Sequence, residues 1–200
     1  MRDRLVAAAM TLFGEAGVQA TTIDDVARAA GFTKGAVYSN FDSKTDLVVE
    51  VLERETQAQI DALRSMTFDA QALATADDWL AALPEAVRRA YSPSDDGTAD
   101  DFALMAELRS QAVADERVMA VFVRQRRAVL ETLRGLVEQV FADRTEELTG
   151  LSADALARLL IGISVGSAFD APATGEVSAA DLMADLVAAL TRSARGVPTG

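Results

Sequence analysis

The segment from residue 21 to residue 46 places its helix start and stop signals so close together that only short helices fit between them. Thr22 precedes apolar residues spaced three and four apart, which is the pattern of a helix with one buried face and a threonine cap. Gly31 follows, and glycine ends a helix in a left-handed conformation at little cost. Thr33 then caps a second short helix that reaches about Phe41. Two short helices joined by a glycine-containing turn form a helix-turn-helix.

A third helix is expected directly after this motif. Ser43 is its predicted cap, and Asp46 lies three residues further on, as in a weaker form of the capping box. Lys44 falls in the first turn, where the positive end of the helix dipole disfavours a cation. A DNA phosphate beside that turn would be bound by the lysine and by the free backbone N–H groups. We therefore expect Lys44 to contact the DNA backbone, while the second helix of the motif enters the major groove.

The residues from 22 to 47 follow the pattern T-x-x-x-V-A-x-A-A-G-F-T-x-G-A-V-Y-x-x-F-x-S-K-x-x-L. This pattern resembles the DNA-binding domain of the TetR family of bacterial transcriptional regulators, and it covers roughly the first quarter of the chain. The resemblance implies a DNA-binding domain of three helices at 1–46, with the helix-turn-helix at about 22–41. It implies a helical ligand-binding and dimerisation domain at 47–200. A short helical hairpin in an ordinary bundle is the alternative.

The residues expected to contact DNA lie on the second helix of the motif or close to it in sequence. Tyr38 could pack in the core, but a phosphate contact through its hydroxyl is favoured. Lys34 could be a solvated lysine, yet its place at the start of the helix favours DNA. Asn40 stands where the family more often has histidine or an aromatic residue, and asparagine can hydrogen-bond a base or a phosphate but stacks poorly. The full set is Thr22, Thr33, Lys34, Gly35, Ala36, Tyr38, Ser39, Asn40 and Lys44.

Composition limits the class of function. The chain has no His and no Cys, so the usual nucleophile–base pairs, thiolate metal sites and disulfides are missing. We predict no enzyme activity, no cofactor and no metal, and the aspartate doublets fit helix caps and turns better than Mg²⁺ or Ca²⁺. The net charge of −12 argues against nucleic acid. However, residues 1–50 carry five basic and seven acidic residues, a net −2, so most of the repulsion lies in residues 51–200.

Helical periodicity continues along the rest of the chain and predicts an all-α fold of about nine helices. The longest uncharged apolar stretch is too short for a bilayer, which takes about 20 residues, and no signal peptide is evident. We therefore expect a cytoplasmic protein with no membrane segment. Pro84 should kink its helix. The expected helices cover residues 5–16, 22–30, 34–41, 43–66, 70–91, 100–113, 115–144, 153–170 and 178–195, with a loop at 92–98 and a turn at 172–175.

Polar residues interrupt three apolar helix faces and indicate a ligand pocket. A polar side chain at a buried level must be paired, hydrated or directed at a cavity. An ion pair of Arg109 or Arg126 with a neighbour such as Glu107 or Glu131 is the alternative to ligand contact, and the apolar members could be plain core. The candidate effector site consists of Trp79, Leu83, Phe102, Met105, Arg109, Phe122, Gln125 and Arg126.

The last two helices carry apolar faces that favour a dimer. Gly162 and Gly166 lie four residues apart, a spacing that lets another helix backbone approach closely. We expect these helices to pack on their symmetry mates as a four-helix bundle. By resemblance, the chain is a homodimeric repressor that a small-molecule effector releases from double-stranded operator DNA. A ligand-independent or activating DNA-binding dimer is the alternative. The candidate dimer residues are Leu159, Gly162, Gly166, Leu182, Leu186 and Leu190.

Overall fold

A computed structural model of the chain describes residues 1–65, 79–90, 98–141, 144–174 and 179–195. These residues contain ten α-helices and no strand, so the all-α prediction is confirmed for them. The helices are α1 (Arg2–Ala16), α2 (Ile23–Ala30), α3 (Lys34–Tyr38), α4 (Lys44–Ser65), α5 (Trp79–Ala90), α6 (Thr98–Ala114), α7 (Glu116–Val140), α8 (Thr145–Thr149), α9 (Ala153–Thr174) and α10 (Ala179–Arg195).

The helix boundaries differ from the predicted ones in the second half of the chain. The longest helix, α7, ends at Val140, whereas the sequence predicted that it would reach about residue 144, and the short helix α8 begins at Thr145, where no helix was predicted. Helix α9 continues to Thr174, so Pro172 lies inside it and the turn predicted from residue 172 is wrong up to residue 174. The fixed φ of proline suits a helix, although a proline inside a helix lacks the N–H for one backbone hydrogen bond and its ring crowds the carbonyl four residues earlier. The predicted loop at 92–98 lies outside the described residues except for Thr98, which begins α6.

The chain divides into two compact units. The first unit comprises Met1–Gln59 and Asp95–Arg127, and the second comprises Ile60–Ser94 and Ala128–Gly200. The first unit thus contains α6 and the beginning of α7 as well as the N-terminal helices. The functional division predicted at residue 46 is a different kind of boundary and stays a prediction.

One hydrophobic core holds the first unit together. It begins on α1, where Leu5 and Phe13 are buried, and it includes Val37 of α3. The same core continues to Leu108 of α6 and Val118 of α7. The short helices α2 and α3 are therefore supported by the apolar faces of helices much longer than themselves, which is where most helical stability in proteins originates.

The second unit has two clusters of buried side chains. One cluster contains Leu83 of α5 together with Phe141, Leu156 and Val187. The other joins Ile60 and Leu63 at the end of α4 to Val129 of α7 and Ile161 of α9. Among the helices described, none is long and apolar enough to cross a membrane.

Candidate nucleic-acid interface

Helix α2 is closed at both ends by its own side chains and backbone. The Thr22 hydroxyl accepts a hydrogen bond from the Asp25 N–H at 3.2 Å, and the Asp25 carboxylate accepts the Thr22 N–H at 3.0 Å. This capping box lowers the pKa of Asp25, mainly through the hydrogen bond with the Thr22 side chain. At the other end Gly31 is left-handed, with a φ of 74°. Gly31 therefore begins the turn that follows α2, and its N–H bonds the Ala27 and Arg28 carbonyls at the end of the helix.

Helix α3 is shorter than predicted, because it ends at Tyr38 and not near Phe41. The Thr33 hydroxyl caps its start by accepting the Ala36 N–H at 3.3 Å. At its end the Ser39 hydroxyl and the Asn40 side-chain amide both donate to the Ala36 carbonyl, at 2.9 and 2.8 Å. Side chains that hydrogen-bond local backbone groups in this way compete with helix continuation.

The two faces of α3 have different environments. Val37 is completely buried and anchors the helix in the core of the first unit. The opposite face, with Lys34, Gly35 and Ser39, is exposed to solvent, and Tyr38 is 50% exposed despite its size. The outward face of α3 therefore offers hydroxyl, ammonium and backbone groups to a partner.

Lys44 lies in the first turn of α4, as predicted. The Ser43 hydroxyl donates to the Asp46 carboxylate at 2.8 Å and accepts the Asp46 N–H at 3.2 Å, so the expected cap is formed. Lys44 is half-buried, and its ammonium lies 3.5 Å from the Gln19 carbonyl. Burial lowers the pKa of Lys44, and the charge of Glu107 acts against that lowering.

All five basic side chains in the first fifty residues have partners within the protein. Lys34 forms an ion pair with Asp24 at 3.0 Å, which raises the pKa of Lys34. Lys44 faces the Gln19 carbonyl, as described above. The three arginines bind as follows: Arg2 to Glu50, Arg4 to the Ala30 carbonyl, and Arg28 to Asp25. DNA phosphates would have to compete with these partners for the charges, which limits affinity for DNA of random sequence.

The residues predicted to bind an effector do not share one core. Met105 and Phe122 are half-buried against the core of the first unit, whereas Leu83 is buried in the second unit. The side chains of Trp79 and Phe102 lie outside the described part of the chain.

The polar members of the predicted effector site lie in the first unit. Gln125 and Arg126 are half-buried and Arg109 is exposed. Burial lowers the pKa of Arg126, and the charge of Arg109 lowers it further. Within the described residues neither arginine has an ion pair, and Glu107 instead accepts the Val18 N–H at 2.9 Å.

The predicted dimer residues lie on α9 and α10, partly exposed. Leu159 is 45% exposed and Leu182 is 39% exposed, so both helices present apolar side chains to solvent. Gly162 and Gly166 are exposed, and a Cβ added at either would meet no atom within 4 Å. Leu186 and Leu190 pack, half-buried, against the first of the two clusters in the second unit. The two exposed leucines and two glycines leave an apolar surface open on this unit.

Comparison with known proteins relates the N-terminal quarter of the chain to a known family. The family model described as bacterial regulatory proteins, tetR family, matches residues 5–51, which include α1, α2, α3 and the start of α4. Residues 5–51 thus carry the sequence pattern of the TetR family. Within this region it is 49% identical over 51 residues to the HTH-type transcriptional repressor KstR2 of Rhodococcus jostii. That match covers 26% of this chain and 25% of KstR2. The TetR family is a family of regulators and not of enzymes.

Solved structures extend the similarity to the whole fold. A transcriptional regulator from Rhodococcus sp. Rha1 aligns with a TM-score of 0.71 at 21% identity, covering 99% of this chain and all of that one. A protein from Saccharomonospora viridis, solved in complex with choline, aligns with a TM-score of 0.67 at 17% identity over 93% of this chain and 92% of its own. At such identities these likenesses concern the fold alone.

Three residues with contacts in this candidate interface were not found from the sequence, namely Asp24, Arg2 and Glu107. Asp24 pairs with Lys34, ten positions away, and no helical spacing connects them. Arg2 reaches Glu50, and Glu107 reaches Val18, across separations of 48 and 89 residues. The one local sign of these contacts was the charged start of α1. An ordinary helix end exposed to solvent carries the same kind of charges, so this sign did not point to particular partners.

Proposed function

We propose that this TetR-family protein is a cytoplasmic, homodimeric transcriptional repressor that binds operator DNA through α3. The capped helix-turn-helix is the observation that carries the proposal, because Val37 is buried while the opposite face of α3 is exposed. An α-helix fits the major groove of B-DNA, where base edges can be distinguished. The similarity of residues 5–51 to repressors such as KstR2 supports repression over activation.

The DNA contacts divide into two kinds. On α3 and its caps, Thr33, Lys34, Gly35, Ala36, Ser39 and Asn40 approach base edges or the adjoining backbone. Thr22, Tyr38 and Lys44 contact phosphates and so position the protein without specifying sequence. The first turn of α4 adds free backbone N–H groups beside Lys44, which favour an anion.

The dimer forms through α9 and α10. Leu159 and Leu182 expose apolar surface, and the open space at Gly162 and Gly166 lets a partner helix approach closely. Two copies in this arrangement present two α3 helices to the same duplex. A symmetric dimer requires a pseudo-palindromic operator with half-sites about one helical turn apart or a multiple of it.

The effector is a small molecule with an anionic group, bound near Arg109 and Arg126. The half-buried Arg126 has no carboxylate partner in the described residues, and the neighbouring positive charge of Arg109 makes this a favourable place for an anion. Met105 and Phe122 supply apolar surface on the same two helices. Two arginines would repel a cation such as choline, which the protein from S. viridis binds. For release, the ligand must favour the geometry that does not bind DNA.

The DNA-binding part of the proposal is tested by selection. Purified protein is incubated with duplexes of random sequence, bound duplexes are amplified over several rounds, and the survivors are sequenced. We expect a pseudo-palindromic site, and a reporter gene placed behind that site should be repressed when the protein is expressed. Failure to enrich any sequence would contradict sequence-specific binding, and activation of the reporter would contradict repression.

The effector part is tested with Arg126→Met, which keeps the bulk of the side chain and removes its charge. Small carboxylates and phosphates are screened by thermal shift, and hits are tested for release of the selected duplex. The variant should bind the duplex as the wild type does, while release requires at least about tenfold more of the same compound. Unchanged release would remove Arg126 from the site. Hits restricted to cations would contradict the proposed anionic class.

A further inference from the structure

The first turn of α1 contacts the segment that leads into α3. The Arg4 guanidinium donates a hydrogen bond to the Ala30 carbonyl at 2.8 Å, at the end of α2. The same group lies over the ring of Phe32, 4.8 Å from its centroid. Arg4 therefore binds the turn that precedes α3 by two independent contacts, one to backbone and one to an aromatic face.

Arg2 makes the corresponding contacts on the other side of α3. One of its nitrogens donates to the Asn40 carbonyl at 2.8 Å, just beyond the end of the helix. The other pairs with Glu50 of α4 at 2.6 Å, and the guanidinium lies 4.4 Å from the centroid of the Phe41 ring. One side chain thus joins the end of α3 to the next helix.

Helix α3 needs such support because it is only five residues long. A helix of this length is unstable by itself in water and takes its orientation from its neighbours. Recognition of base edges requires that the contacting side chains be held to within about 0.5 Å of their binding positions. Val37 and Phe41 anchor one side of the segment in the core, but apolar contacts are non-directional and fix its orientation less well than hydrogen bonds.

We propose that Arg2 and Arg4 form a clamp that orients α3 for DNA, and that Arg2 is a positioning residue that sets operator affinity without contacting DNA. The clamp consists of these two guanidinium groups and their contacts on either side of α3. The inference rests on the proposed DNA-binding function, although the clamp itself can be measured without DNA.

The contacts of Arg2 require an arginine and not merely a cation. The planar guanidinium donates to a carbonyl and a carboxylate in different directions while its face covers an aromatic ring, which a lysine ammonium cannot do. Glu50 also favours the charged form of Arg2, since the hydrogen bond with the Glu50 side chain raises the pKa of Arg2. A phosphate contact, in contrast, needs only a positive charge on a flexible stem.

Arg2→Lys and Arg2→Met together distinguish these two roles. Binding to the duplex selected from the random pool is measured by fluorescence anisotropy at several salt concentrations. For a clamp, both variants bind about tenfold more weakly, and the dependence of the logarithm of affinity on that of salt keeps its slope. Glu50→Gln, which weakens one contact of Arg2, shifts affinity in the same direction by less.

Hydrogen exchange of the free protein gives the second readout. Backbone amides of residues 36–41 should exchange faster in both Arg2 variants than in the wild type. The matched control is Arg144→Met, because Arg144 also binds a glutamate, Glu147, but lies just before α8 in the second unit. The control should change neither exchange at 36–41 nor affinity.

Two results would overturn the clamp. Full binding by Arg2→Lys, with the salt slope reduced by about one in Arg2→Met, would assign Arg2 to a phosphate. Unchanged exchange at 36–41 in both Arg2 variants would show that Arg2 does not restrain α3. Should Arg2→Met fail to fold, Arg2→Lys and Glu50→Gln decide the matter. If the wild type binds no duplex, the proposed function fails, while the exchange comparison still supports or refutes the clamp.

Discussion

Gly31→Ala tests the turn of the helix-turn-helix and its contact with Arg4 together. Gly31 has a φ of 74°, and an alanine in the left-handed region costs about 1–2 kcal/mol. The added Cβ would lie 3.3 Å from a terminal nitrogen of Arg4, so the guanidinium must shift by a few tenths of an ångström. That shift weakens its hydrogen bond to the Ala30 carbonyl, which contributes about 1 kcal/mol. We expect the free energy of unfolding to fall by about 1–3 kcal/mol.

The assay is urea unfolding followed by far-ultraviolet circular dichroism. Gly35→Ala is the matched control, since it lies in α3 without a positive φ and its Cβ would meet only the Thr33 hydroxyl at 3.8 Å. The control should be neutral or slightly stabilising, because alanine favours helices. In an Arg4→Met background the cost of Gly31→Ala should fall to that of the backbone alone, about 1–2 kcal/mol. An unchanged midpoint for Gly31→Ala would refute the left-handed turn.

Three further predictions concern DNA and the dimer. Lys44→Ala and Tyr38→Phe should weaken binding about equally across sequences, with the lysine change lowering the salt slope by about one; altered operator preference would refute the phosphate assignment. Gly166→Leu should give folded monomers with little operator affinity, because the protomer has open space at that position; an intact dimer in sedimentation would contradict it. Asp24→Asn should tighten binding about two- to fivefold at low salt by freeing Lys34, and weaker binding would mean that the pair orients the lysine.

The helix-turn-helix was predictable because its determinants are local. Thr22, Gly31 and Thr33 act on backbone groups within four residues, and the structure has each of them in the expected conformation. The short helix α8 was missed because five residues are too few to show periodicity. Gly150, left-handed with a φ of 71°, was the one local signal that a helix ended there.

The long-range contacts were not predictable in the same way. An apolar stripe shows which face of a helix is buried, but not against which helix. Leu83 and Met105 both lie on such stripes, yet the structure has them in the cores of different units. The partner of Arg2 could not be predicted either, because Glu50 is one of several acidic residues that a flexible arginine at the start of α1 could have reached.

A crystal structure of the protein with the duplex selected from the random pool tests the central claim most directly. We predict two protomers on one duplex, each with α3 in the major groove and with Lys44 within hydrogen-bond distance of a phosphate oxygen. Arg2 should keep its contacts with the Asn40 carbonyl and Glu50 in that complex. A duplex bound to any other surface, or one protomer bound alone with α3 facing solvent, would contradict the account.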